Sequence, residues 1–372
     1  MDSSQPSVPA ASKPVAAKPA APRLAFLDWT RGLAAVIMLQ GHVFHSFTRT
    51  DLRGQDAFVL SQFVGGMPPA IFLFLTGVTL AFLMHSRERQ GLSAWGRVRA
   101  ALRRAGYLAA LAAAFRLQLW IFGFPQTEYA SLFRVDILNC MGFGIAVMSI
   151  MAVFTTLERV RLCAILGLAI AVASPFISLL DTAFLHPFLR SYFVPSYDSF
   201  GFFPWAAFLA FGLSAGSVLR LAPSVELHRV MQWGGWLGLI LVVGGQYFSN
   251  IPYSLYPKSE FWLNGPTLVF IKTGVILMMT SFAFLWNNYL VTGWSWVRQL
   301  GTTSLLIYWV HTELVYGRWL GVMKENLNVG QTVVMAVAVI SLMLALSVAR
   351  ARWPQIREFL LKRTAAQLPQ PD

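Results

Sequence analysis

Blocks of about 20 apolar residues, separated by short polar loops, run along nearly the whole chain. Ten of them lie near residues 30–48, 63–84, 105–122, 133–156, 162–180, 202–219, 231–248, 263–285, 299–317 and 329–349. Each is long enough for a helix to cross a bilayer and too long for an ordinary strand. The pattern predicts an all-α integral membrane protein, a polytopic bundle of about ten transmembrane helices over residues 23–350. Residues 1–22 are rich in Ala, Pro, Ser and Lys and hold no apolar run, which predicts a disordered tail rather than a cleaved signal peptide. Residues 351–372 read as a basic cytoplasmic tail.

Charge gives the bundle an orientation. The chain is 56% hydrophobic and only 12% charged, about half the charged share of a soluble domain. Its net charge of +13 raises the question of nucleic acid. With both termini in the cytoplasm, the loops on that side hold 20 Lys/Arg against 7 Asp/Glu, and the opposite loops hold 6 against 7. The whole excess falls on one face, as the positive-inside rule expects, so no nucleic-acid partner is needed to explain it. Tryptophans mark both interfaces: Trp29, Trp95, Trp233, Trp236, Trp294 and Trp296 on the inner one, Trp120, Trp205, Trp262 and Trp319 on the outer. Cys140 and Cys163 both fall inside apolar blocks and suggest neither a disulfide framework nor a zinc site.

Ionisable groups inside spans cost about 2.5–3.5 kcal/mol each on insertion scales, so each asks for a partner or a task. In "LDWTRGLAAVIMLQGHVFHSF" the first block carries Asp28, Arg31, His42 and His45. His42, towards the outer end, reads either as a general base or as a packing histidine. His45, three residues on, has no third ligand for a metal and suits a role at the outer mouth, so no metal is expected. Asp28 and Arg31 are spaced to pair at the inner end, where a simple charge pair suffices. In "FRVDILNCMGFG", Asp136 with Asn139 can orient His42 or His311, or satisfy Arg134. Arg116 and Lys272 lie too deep to snorkel easily. They suit an anionic ligand, or else pairing with Asp136 or a backbone carbonyl. The loop "RERQGLSAWGRVRAALRRAG" reads as a topology signal, a lipid-headgroup surface, or a capture site for a polyphosphate cofactor at Arg103 and Arg104.

Six blocks in order, "RLAFLDWTRGLAAVIMLQGH", "PAIFLFLTGVTLAFL", "GRVRAALRRAG", "DILNCMGFG", "FFPWAAFLAFGLSAG" and "LGTTSLLIYWVHTELVYG", resemble the heparan-alpha-glucosaminide N-acetyltransferase catalytic-domain family of bacterial membrane proteins. That family is similar to the acyltransferase-three O-acetylases, in which a basic residue and a histidine are separated by ten residues. Arg31 and His42 have that spacing. The resemblance implies a catalytic His42 with Arg31 on the same functional helix, and Asp136 and His311 are the further candidates. It implies acyl-CoA, acetyl-CoA above all, as donor, bound from the cytosol by Arg103 and Arg104; the buried Arg116 and Lys272, read from their depth, are further candidate cations for it. The acceptor implied is a sugar or glycan beyond the bacterial inner membrane, reached by a chain embedded among membrane lipids, with association into homo-oligomers left open. The competing reading is a transporter or flippase of an anionic or lipid-linked solute, for which the same buried cations would line a path. A membrane scaffold ranks last because it leaves the outer polar residues without a task.

Overall fold

The computed structural model describes residues 24–290 and 293–366; the expected tail at 1–22 and the last residues of the basic tail lie outside them. The described chain is helical: α1 (Ala25–Phe47), α2 (Asp56–Gly65), α3 (Pro68–Arg89), α4 (Ala94–Gly123), α5 (Ile137–Met148), α6 (Thr156–Leu179), α7 (Pro187–Phe193), α8 (Phe202–Leu221), α9 (Leu227–Ser249), α10 (Pro266–Leu285), α11 (Trp296–Thr302), α12 (Ser304–Tyr316) and α13 (Val329–Ala366). The one β-bridge among the described residues joins Thr48 to Leu327 in parallel.

Seven stretches, 56–89, 94–123, 129–153, 156–179, 202–221, 266–290 and 329–355, are long and apolar enough to cross a membrane. Helices also cover the expected blocks at 30–48, 231–248 and 299–317, but these fall outside that set. In α1 the polar side chains of Asp28, Arg31, Gln40, His42 and His45 dilute the apolar run. In α9, His228, Arg229, Gln232 and Gln246 do the same. The third block breaks in two.

Two expected helices are therefore corrected. The block at 299–317 is divided at Thr303, whose backbone (φ −121°, ψ 20°) ends α11 before α12 starts. The run Gly301-Thr302-Thr303-Ser304 is poor in helix formers, and the Thr303 and Ser347 hydroxyls bond each other at 2.6 Å. The block at 133–156 begins late, because Asp136 caps α5. Its Oδ1 accepts from the amides of Leu138 (2.9 Å) and Asn139 (3.0 Å), while Asn139 Oδ1 accepts from the Asp136 amide at 3.3 Å. This capping box places Arg134 ahead of the helix, where it donates to Asp198 O. Arg134 is not the partner of Asp136.

Glycines set the closest helix contacts. A Cβ on Gly32 would strike Val297 O, and one on Gly301 would strike Asp28 O, so α1 and α11 meet backbone to backbone. Gly77 of α3 and Gly212 of α8 do the same against Leu209 O and Phe74 O. In a bilayer, where apolar side chains gain little by leaving lipid, such close backbone packing supplies much of the association. Arg159, fully buried in α6, ties that helix to α3. It donates to Glu88 Oε2 (2.8 Å), Thr156 Oγ1 (2.6 Å) and Phe154 O (2.5 Å).

Replacing Gly212 by Val drives a branched side chain into the α3 backbone. The expected result is a loss of about 1–3 kcal/mol, read as a lower melting temperature in detergent. An unchanged melting temperature would show that the α3–α8 contact is looser than described.

Candidate active site

Two polar clusters lie at opposite ends of α1. At the basic end, Arg31 Nη1 binds Asp28 Oδ1 at 2.9 Å, and Arg104 Nη2 donates to Thr79 Oγ1 at 3.1 Å. The Arg31 charge acts on Arg104, so α1, α3 and α4 gather two guanidiniums against one carboxylate. Arg103, the preceding residue of α4, is exposed and does not join them. Arg31 and His42 are eleven residues apart, about three helical turns and ~16 Å, so they share one face of α1.

At the histidine end, His42 Nδ1 and His311 Nε2 lie 2.9 Å apart. The rings are near-parallel, with centroids 5.1 Å apart and an interplanar angle of 21°. His311, fully buried, also places Nδ1 2.7 Å from Ile307 O. A carbonyl can only accept, so His311 Nδ1 carries a hydrogen there. With both rings neutral, His311 Nε2 is then an acceptor, His42 Nδ1 is its donor, and the lone pair of His42 is on Nε2. A neutral imidazole with its lone pair on Nε2 is the form a general base requires.

The surroundings are aromatic and charged. Tyr316 packs edge-on against His42 (5.2 Å) and tilts against His45 (6.0 Å), which is exposed at the rim. Tyr308 packs on His311 (5.9 Å) and on Phe115 (5.4 Å). Trp309 donates its indole N–H to Gln118 Oε1, which ties α12 to α4. Arg116 Nε and Asp136 Oδ2 form an ion pair at 3.0 Å with little exposure, and both charges reach the Tyr308 phenol. Lys272 Nζ donates to Gly66 O at 3.0 Å and lies 5.3 Å from the Trp205 ring. The neighbouring Gly65 touches Gly41, the residue before His42, so Lys272 lies at the histidine end of α1. Beyond the rim, hydrogen bonding from Arg49 holds the Asp51 carboxyl below the usual carboxylate range.

Of the residues singled out in the sequence, His42, His311, Asp136, Arg116 and Lys272 gather at one end, and Arg31 and Arg104 at the other. Asp136 orients neither histidine; its charge goes to Arg116. Glu313, two residues from His311, turns away and accepts from the Trp319 indole at 3.0 Å. Tyr308, Tyr316 and Gln118 escaped notice in the sequence. Tyr308 was legible at one turn before His311, on the same face of α12. Among the described residues no group of three His, Cys, Asp or Glu side chains could hold a metal ion.

The profile of the family described as heparan-alpha-glucosaminide N-acetyltransferase, catalytic, matches residues 23–248, more than half of the chain. The chain belongs to that family. It is thus akin to membrane acetyltransferases, and five of the six blocks of the resemblance fall inside the match, over α1–α9; the sixth, at 300–317, lies beyond it. The match ends before α10–α13, so His311 and Lys272 lie beyond it. No curated protein matches the chain.

The Arg116–Asp136 pair yields a stability prediction. Arg116→Ala leaves a buried carboxylate without its partner and is expected to cost about 3–5 kcal/mol. The double change Arg116→Met with Asp136→Asn keeps the α5 cap and removes both charges, and should recover most of the loss. Chemical denaturation in detergent checks both.

Proposed function

We propose that the chain transfers an acetyl or other short acyl group from cytosolic acyl-CoA to a sugar or glycan at the outer side of the bacterial inner membrane. The observation that carries this reading is the hydrogen-bonded chain Ile307 O, His311, His42, which leaves the lone pair of His42 on Nε2 at one end of α1. Family membership supports the reaction class. The Arg31 and Arg104 cluster at the other end of the same helix supports a phosphate-bearing donor on the cytosolic side.

In this reading the bundle crosses the membrane ten times. α1, α9 and the broken α11–α12 segment are among the spans, and both termini are cytoplasmic. Arg31 and Arg104 hold the phosphates, and the acyl thioester reaches along α1 towards His42. The thioester supplies an activated acyl carbon. His42 Nε2 takes the proton of the acceptor hydroxyl or amine as its oxygen or nitrogen bonds to that carbon, and returns a proton to the departing thiolate. His311 is a positioning residue: it holds the tautomer of His42 and touches no substrate. Lys272, and Arg116 held by Asp136, offset the charge that develops on the acyl oxygen.

His42→Ala is expected to lower acyl transfer by about 10²–10⁴-fold while leaving the melting temperature near that of the native protein. His311→Leu should lower kcat by less and shift the pH profile, since a residue acting only through packing would leave that profile in place. Radiolabelled acyl-CoA with isolated membranes reads both. A folded His42→Ala protein with full transfer would overturn the assignment, and a purified protein that binds no acyl-CoA would favour the transport reading.

A further inference from the structure

A cavity of about 790 Å³, lined by neither His42 nor His311, is walled by α3, α6, α8, α9 and α10, with Leu27 from the start of α1. Its volume lies in the range of known ligand sites, ~300–1,000 Å³. Along α9 its lining runs from Arg229 to Leu241 and along α10 from Phe270 to Ser281, so the space is a slot about 16–18 Å long, parallel to the helices. Four hydroxyls line it, and each is spent on a helix carbonyl: Ser214 on Val160 O (2.7 Å), Thr273 on Val269 O, Thr280 on Ile276 O and Ser281 on Met231 O (each 2.8 Å). With their hydrogens spent, these hydroxyls offer only lone pairs, and the slot is otherwise apolar along its length.

Charge enters at one end only. Glu226 and Arg229 stand at the mouth, both exposed, and neither has an ion-pair partner among the described residues. Trp233, 73% exposed, stands beside them, as tryptophan does at a headgroup interface. The lips of the slot, Leu168 on α6 and Leu237 on α9, are half exposed, so it opens sideways. A solute taken from water would meet two apolar lips, whereas a lipid tail can enter from the bilayer without leaving an apolar medium.

We propose that the slot holds one acyl tail of a phosphoethanolamine lipid from the leaflet at the α9 start, with the phosphate on Arg229 and the ammonium on Glu226. One cation and one anion a turn apart match a zwitterionic headgroup; a purely anionic one would meet Glu226 unfavourably. The bound tail fills the gap between the α9–α10 pair and the α6–α8 pair. The site is independent of His42 and of the acyl-transfer reading.

Native mass spectrometry of the full chain, released from membranes in mild detergent, tests it. The expected spectrum shows one retained lipid of phosphoethanolamine mass. A Cβ on Gly234 would meet only Ser281 Oγ, at 3.5 Å, so Gly234→Phe can project into the slot and should cut the retained lipid about tenfold. Ala215→Leu, a milder filling on α8, should cut it in the same direction. With equal phosphoethanolamine and phosphoglycerol lipids in nanodiscs, the native chain should favour the former, and Glu226→Gln with Arg229→Gln should abolish the preference. Absence of retained lipid, or full retention in both slot-filling variants at unchanged melting temperature, would overturn the proposal. Equal retention of the two headgroups by the native chain would overturn the headgroup assignment.

Discussion

The backbone contact between α1 and α11 at Gly32 and Gly301 sets the geometry on which the histidine pair depends. With no side chain on either glycine, the two helices touch through carbonyl and amide, which leaves little freedom for α1 to slide. α12 follows one residue after α11, so the same contact sets where His311 begins its approach to His42. The far end of α1 is fastened separately. Ser46 Oγ donates to Val315 O at 2.8 Å, and the amides of Glu325 and Leu327 donate to Ser46 O and Phe47 O. Clamped at both ends, α1 and α12 hold two imidazoles 2.9 Å apart although 269 residues separate them in sequence.

A polar chain inside a membrane is tolerable only when every donor has somewhere to go. The histidine chain meets that demand by ending on Ile307 O, a carbonyl with a second lone pair beyond the one its own helix uses. The Arg116–Asp136 pair meets it differently. Asp136 divides its two oxygens between the α5 N-terminus and a guanidinium, so one residue both starts a helix and neutralises a buried cation. Uncompensated, either group would cost several kcal/mol in the bilayer interior.

The apolar blocks were enough to place the helices, because a 20-residue run has few other ways to satisfy its backbone in lipid. Their breaks were harder to see. The Asp136-Ile-Leu-Asn139 box that starts α5 was written in the sequence, yet the surrounding apolar run concealed it. The division at Thr303 depends on the Ser347 hydroxyl of α13, which no local pattern reveals. The structural readings of Arg116 and Lys272, pairing with Asp136 and with a backbone carbonyl, match their contacts. The partner of His42 was illegible because helix neighbours separated by hundreds of residues leave no periodic trace.

The family match stops at residue 248, yet the site does not. α1 contributes Arg31 and His42 on one face, and α4 and α5 contribute Arg104, Arg116 and Asp136, all inside the matched region. Inside it alone, the His42 ring would lack the acceptor that fixes its proton on Nδ1, because His311 comes from α12. It would also lack Lys272. The chain beyond residue 248 is therefore not an appendage to a finished centre. It supplies His311, the group that decides which nitrogen of His42 carries the proton.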